Sequence, residues 1–234
     1  MGKFAVIGLG SFGEYVAKSL MARGNEVLVI DRDPGKIQKV KDFVSSAMTA
    51  NAADKEFLNE ADIADVEAVI IGLNERDMAA SILATMYLKE MGIKKIVVKA
   101  SSSDHKTILE KVGATETVFP EREVAERLSS SISSSNVYDQ IPLADNFGIL
   151  ELVAPAKFVV DHLESLDMRA KYGAQVLFLR RPVRHLSSQE KPKVEDCEVV
   201  FPDKGTAVKP GDILILAGCT ESLEKIKGMK PSVG

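Results

Sequence analysis

At 234 residues the chain is long for one small domain and short for two large ones, so one α/β domain with a smaller companion is expected. Hydrophobic residues at 45% and charged residues at 27% describe an ordinary globular core and exclude extensive disorder, while a formal charge of −4 without any Lys/Arg block argues against nucleic acid as a partner. No apolar run approaches the roughly 20 residues that cross a bilayer, and the apolar start Phe4–Ile7 is cut off by Gly8, so a soluble, unexported chain is expected.

From residue 4 to about residue 120, short β-branched runs alternate with segments of helical period, the pattern of a parallel sheet covered by helices. Strands are expected at Phe4–Ile7, Val27–Ile30, Ala47–Ala50, Ala68–Ile71, Ile96–Val98 and Thr117–Phe119. The first helix carries Phe12, Val16 and Leu20 at i, i+4, i+8 and stops before Gly24. The second opens with Asp33 as N-cap and Pro34 in its first turn, and turns Ile37, Val40 and Val44 to one side. After Pro120 come a charged helix, Glu121–Leu128, and a serine-rich run from Ser129 to Ser135. Val124, Leu128 and Ile132 keep a helical stripe through the serines, which favours a helix with one apolar face, suited to a partner subunit, over a flexible linker.

Beyond about residue 140 the chain reads as a strand-rich α+β module. Its expected strands are Gly148–Val153, Ala174–Leu179, Glu198–Phe201 and Ile213–Ala217, with helices near Val159–Leu166 and Glu221–Lys227. Leu186–Asp196 is polar and reads as a loop, and Lys209-Pro210-Gly211-Asp212 is a tight turn. The expected organisation is a nucleotide-binding domain over 1–120, a crossover helix and hinge over 121–140, and a second lobe over 141–234. Cys197 and Cys219 have neither C-x-x-C spacing nor a His cluster, which points to free thiols and away from zinc.

The motif that carries chemistry is Gly8-Leu9-Gly10-Ser11-Phe12-Gly13, a G-x-G-x-x-G set between a strand and an amphipathic helix. Gly8 permits the tight turn, Gly10 lets backbone approach a pyrophosphate, and Gly13 lets helix and strand pack closely. The helix N-terminus then offers N–H groups and a positive dipole end to phosphates. Asp31 closes the second strand where an acid meets ribose hydroxyls and repels a 2′-phosphate, so NADP is disfavoured. Arg32, beside it, is placed either to stack on adenine or to tolerate extra phosphate. No nucleophile elbow, H-E-x-x-H or P-loop occurs, and His105, His162 and His185 read as surface or packing residues, His105 following an apparent N-cap at Asp104. The sequence offers no catalytic set, which leaves an NAD-dependent oxidoreductase as the rival to a sensor.

The Gly8–Gly13 loop, Asp31, Asn51-Ala52, Val98-Lys99-Ala100, Leu109–Ala114, Pro120-Glu121, Leu166–Gly173 and Lys209–Asp212 together resemble the RCK proteins, regulators of potassium conductance. More narrowly, the chain resembles the cytosolic Ktr/Trk potassium-uptake regulators over nearly its whole length. The resemblance implies a Rossmann-like, doubly wound parallel sheet with a smaller C-terminal α+β lobe, assembled as a homo-oligomeric, commonly octameric ring beneath a membrane potassium transporter. It implies an adenine nucleotide, ATP or ADP and alternatively NAD or NADH, as the signal. Gly8, Gly10 and Gly13 match the phosphate loop, Ser11 and Phe12 completing it, with Asp31 the ribose ligand, Asn51 and Ala52 the adenine edge, and Lys99 a basic residue near the phosphates. Glu121 matches a carboxylate associated with a divalent cation; its other reading is an ordinary acid in the first turn of a helix, as Lys99 is otherwise a solvated strand end. Ser11 departs from the Arg that many such regulators carry, which weakens the expected discrimination of ATP from ADP. Asp167 and Arg169 fall where some relatives bind cyclic di-AMP, and a structural role is favoured for them here.

Overall fold

The computed structural model describes residues 1–61, 63–133, 136–183 and 196–232, and the chain divides into two units, Met1–Arg122 and Glu123–Gly234. In the first unit, β1 (Lys3–Ile7), β2 (Glu26–Asp31), β3 (Ser46–Thr49), β4 (Ala68–Ile71), β5 (Ile96–Lys99) and β6 (Glu116–Val118) pair in the order β3-β2-β1-β4-β5-β6. All five pairings are parallel, with Val6 of β1 opposite Val29 of β2 and Ile70 of β4. Helices α1 (Ser11–Ala22), α2 (Pro34–Val40), α3 (Lys55–Glu60), α4 (Met78–Glu90) and α5 (Ser103–Val112) cover it, two apolar clusters lying on opposite faces. One gathers Ala5, Ile7, Ile30, Ile71 and Val98 with Leu88 and Leu109; the other gathers Val6, Val27, Val29 and Ile70 with Ala17 and Ile37. Central strands buried on both faces explain why they read as unbroken apolar runs. Strand order reverses between β1 and β4, which opens a crevice at the carboxyl ends of those strands.

Local punctuation acts much as the sequence suggests. The Asp33 side chain accepts from the Gly35 N–H and caps α2, with Pro34 at its first turn. The helix after β5 departs from expectation: its N-cap is Ser102, whose hydroxyl accepts from the His105 N–H, and Asp104 lies within the first turn. Helix α6 spans Pro120–Ser133, so the helical stripe does run through the serines, and Val124, Leu128 and Ile132 are 64%, 57% and 74% exposed.

In the second unit β7 (Val137–Ala144), β8 (Phe147–Val153), β9 (Ala174–Pro182), β10 (Cys197–Val200) and β11 (Ile213–Cys219) form an antiparallel sheet in the order β10-β9-β11-β8-β7. Leu150, Leu152, Val176, Leu179, Leu214 and Leu216 face one core, closed by Leu223 and Ile226 of α8 (Thr220–Lys227) and by Phe158. A short helix, α7 (Met168–Tyr172), precedes β9. Strand β7 begins inside the span expected as crossover and hinge. It is an edge strand, polar at Asp139 and Gln140 and carrying Pro142, which only an edge accommodates. The helix expected near Val159–Leu166 is absent. Two 3₁₀ turns, Ala156–Phe158 and Leu163–Leu166, flank an extended Val160 that exchanges backbone hydrogen bonds with Val208, as β-branched neighbours favour. His162 accordingly precedes a 3₁₀ turn rather than sitting in a helix. The tight turn stands, with Gly211 at φ +83°, and the buried Asp212 accepts both arms of the Arg181 guanidinium and the Lys209 N–H. His185 and all of the Leu186–Asp196 loop except Asp196 lie outside the described residues.

Candidate functional site

The β1–α1 loop builds one wall of the crevice. Gly8 holds φ +92°, and its N–H donates to Ile30 O at 2.7 Å, tying the turn to β2. Gly13 is buried against this turn: a Cβ there would stand 2.0 Å from Gly8 O, so only glycine lets α1 start so close to β1. Gly10 is the N-cap of α1, and no side chain caps the helix, so its first-turn N–H groups face outward with the dipole's positive end. A Cβ on Gly10 would come 3.4 Å from Asn74 Oδ1, across the switch point.

Asp31, at the end of β2, is buried and fully engaged. Its Oδ2 accepts from the Leu9 N–H at 2.6 Å and from Lys36 Nζ at 3.2 Å, and its Oδ1 accepts from the Asp33 N–H at 2.8 Å. A cavity of ≈ 150 Å³ gathers Gly8, Gly10, Asp31, Arg32, Asn51 and Ala52 from the expected set. It adds Lys36, Gly72, Asn74 and Asp77, which sequence reasoning missed. Lys36 was findable, because the Asp33 cap fixes the phase of α2 and sets Lys36 one turn from Asp31. Asn74 and Asp77 follow β4, where no motif marks them; strand order alone brings them opposite Gly10. Arg32 is held there by Asp77, Nη1 to Oδ1 at 2.9 Å.

Five expected residues stand outside this cavity: Gly13, packed under the turn as described, and Ser11, Phe12, Lys99 and Glu121. Ser11 is exposed on the first turn of α1. Phe12 packs into the apolar cluster on the α1 side of the sheet, beside Gly72. Lys99 lines a neighbouring cavity of ≈ 410 Å³ with Asn74, Glu75, Ser101, His105, Phe119, Glu121 and Arg122, the two cavities sharing Leu73 and Asn74. Lys99 and Glu121 pair directly, and the ammonium's hydrogen bond holds the Glu121 carboxyl below the usual carboxylate range, against a smaller opposing effect of burial. Among the described residues no group of three His, Cys, Asp or Glu side chains is arranged to hold a metal ion.

His105 is buried between Ser81 and Ser101. The Ser81 hydroxyl donates to Met78 O at 2.8 Å and so accepts from Nε2–H at 2.9 Å; Nδ1 accepts from the Ser101 N–H. That pattern fits the neutral imidazole, and burial pushes its pKa below the ordinary value. In the second unit Asp167, at φ +45°, and Arg169 line a cavity of ≈ 420 Å³ with Leu163, Glu164, Gln175 and Lys204.

Residues 4–120 match the TrkA-N domain family. The chain is 37% identical over 179 residues to Ktr system potassium uptake protein C of Bacillus subtilis, covering 76% of this chain and 80% of that one. It is 32% identical over 228 residues to Ktr system potassium uptake protein A of Vibrio alginolyticus, covering 97% of both. Among solved structures, the GsuK channel bound to NAD superposes over 98% of this chain with a TM-score of 0.66 at 15% identity, this chain spanning 40% of that one, and the GsuK RCK domain gives 0.64 at 16%, this chain spanning 48% of it. Those likenesses establish the fold, and no described helix is long and apolar enough to cross a membrane. With a TrkA-N domain built around the glycine loop and relatives matching over nearly its whole length, the chain belongs to the Ktr family of potassium uptake proteins.

Proposed function

We propose that this chain is a nucleotide-sensing regulatory subunit of a Ktr-type potassium-uptake system, working in the cytoplasm against a membrane transporter subunit as a homo-oligomeric ring, most simply an octamer. The observation that carries the reading is the conjunction at the β1–β4 switch point: an uncapped α1 N-terminus, a Gly10 surface free of side chain, and a buried acid at the end of β2. An adenine nucleotide fits that cradle, with adenine against Asn51 and Ala52, ribose at Asp31 and phosphates over Gly10. ATP and ADP differ by one charged group, and NAD, the ligand bound to the structurally similar GsuK channel, is the alternative. A ligand shifts a ring only through unequal affinity for its two arrangements, and a γ-phosphate is a source of that inequality. A divalent cation at Glu121 would first have to displace Lys99 and draw its other oxygens from the phosphates, and the reading does not depend on one.

The same wall argues for sensing over catalysis. Each charged side chain lining the cavity is committed: Asp31 to Lys36, Arg32 to Asp77, and Asp33 to the cap of α2. None is poised to move a proton to or from a substrate. The cavity beside Asp167 and Arg169 supports a second reading, a cyclic di-AMP site in the C-terminal lobe, to be tested alongside.

Calorimetric titration of ATP, ADP, NAD, NADH and cyclic di-AMP, with and without Mg²⁺, tests the assignment. Binding of an adenine nucleotide that is weakened at least tenfold by Asp31→Ala supports it. Unchanged affinity in that variant places the site elsewhere, and steady hydride turnover with a small substrate would favour the oxidoreductase.

A further inference from the structure

Two cations stand at the ribose end of the first cavity, and each is held by a carboxylate. Lys36 reaches Asp31 Oδ2 at 3.2 Å, and Arg32 reaches Asp77 through Nη1–Oδ1 at 2.9 Å and Nη2–Oδ2 at 3.4 Å. The acids differ in their other partners. Asp31 also accepts the Leu9 and Asp33 N–H groups, so its charge is compensated within the β1–β2 wall whatever occupies the cavity. Asp77 stands on the opposite wall, after β4, and holds the guanidinium of the residue that directly follows Asp31.

A guanidinium next to the β2 acid is the group that receives a 2′-phosphate in this class of fold. Here it is drawn across the cavity instead. We propose that Asp77 is a specificity-determining residue that, by holding Arg32 across the cavity, withholds from the ribose 2′ position the cation a 2′-phosphorylated adenine nucleotide needs. This rests on the nucleotide reading of the cavity. The pair is asymmetric in a way that suits the role, since the Asp77 side chain is 17% exposed and set in the wall, while that of Arg32 is 70% exposed and free to turn. A 2′-phosphate that captured Arg32 would leave the Asp77 carboxylate unpaired beside a new dianion. It therefore loses the existing pair and meets repulsion in addition. Nucleotides with a free 2′-hydroxyl meet neither penalty.

Asp77→Asn removes both effects while keeping size. Asp77 is the N-cap of α4 without a side-chain cap bond, and Asn is an equally good cap, as is Ser in a second variant, Asp77→Ser. Two probe pairs differ only by the 2′-phosphate: 5′-AMP against adenosine 2′,5′-bisphosphate, and NAD against NADP. The readout is the affinity ratio within each pair, measured by titration, with ADP as the control for the nucleotide reading. Wild type is expected to favour the 2′-hydroxyl member. Asp77→Asn and Asp77→Ser are expected to shift the ratio toward the 2′-phosphorylated member by about tenfold or more, the worth of one charge-assisted hydrogen bond. The shift is expected to fall to the smaller part due to repulsion alone when Arg32→Gln is added, and to shrink as salt is raised. Variants that bind ADP yet leave the ratio unmoved would overturn the inference, as would a shift that Arg32→Gln leaves undiminished. Wild type that binds none of ADP, AMP or NAD would overturn the nucleotide reading and this inference with it, a result distinct from an unmoved ratio.

Discussion

Gly13→Ala and Gly10→Ala place the same methyl group three residues apart and are expected to fail in opposite ways. At position 13 the new Cβ would lie 2.0 Å from Gly8 O, against backbone that is itself fixed at φ +92° and hydrogen-bonded to Ile30 O. Neither partner is a flexible side-chain end, so α1 must lift from β1. Overpacking of this kind costs about 1–3 kcal/mol, and the rigid backbone on both sides puts Gly13→Ala near 3 kcal/mol. For a lobe of this size that corresponds to a fall in Tm of roughly 10 °C. At position 10 the Cβ meets only Asn74 Oδ1 at 3.4 Å, so stability is expected to change by less than about 1 kcal/mol while the methyl stands where phosphates cross. Differential scanning fluorimetry with and without ADP separates the two. The variant Gly13→Ala should melt early; the variant Gly10→Ala should melt like wild type and lose the ADP-induced stabilisation. A Gly13→Ala protein melting within about 2 °C of wild type, by the same scaling, would refute the close packing, and full ADP stabilisation of Gly10→Ala would refute the path of the phosphates.

Other consequences are as direct. Asp212→Ala removes the acceptor of the Arg181 guanidinium and the Lys209 N–H at a buried turn, and should cost the second unit about 2–3 kcal/mol, seen by chemical denaturation, with ADP binding retained. His105 has its pKa depressed by burial, so the unfolded chain binds its proton more readily than the folded one. Its contribution is therefore full above the ordinary imidazole value of about 6.5 and is lost as pH falls below it. His105→Gln should flatten that part of a stability-versus-pH curve, and an identical slope in both proteins would show that His105 is not its source. Replacing Val124, Leu128 and Ile132 by Ser should lower the oligomeric mass measured by light scattering if the exposed stripe of α6 packs on a partner copy, and an unchanged mass would leave that face without this role.

What could be read from the sequence followed from how strongly each segment's environment constrained it. Val27–Ile30 and Ala68–Ile71 were legible because central parallel strands are buried on both faces and admit little but apolar residues. Strand β7 was not, since an edge strand tolerates Asp139, Gln140 and Pro142 and presents no alternation to detect. Val159, Leu163 and Leu166 imitate a helical stripe, but Val159 and Val160 prefer extended backbone and the pairing with Val208 decides the matter. The site divides the same way. Its β1–β2 half carries local signals in Gly8, Gly10, Gly13 and Asp31, whereas Asn74 and Asp77 arrive through strand order, which no short motif encodes. Lys99, assigned by likeness to the phosphate end, lines with Glu121 the adjoining cavity that shares Leu73 and Asn74 with the first.

The claim that this chain senses a nucleotide on behalf of a potassium transporter is tested most directly by flux. Potassium uptake is measured in vesicles containing the membrane subunit of its own uptake system, with this chain added in ATP, ADP or NAD, as wild type and as Asp31→Ala. The rate is expected to depend on which nucleotide is present with wild type and to lose that dependence with Asp31→Ala. Equal flux in all nucleotides with the wild-type chain bound would contradict nucleotide sensing.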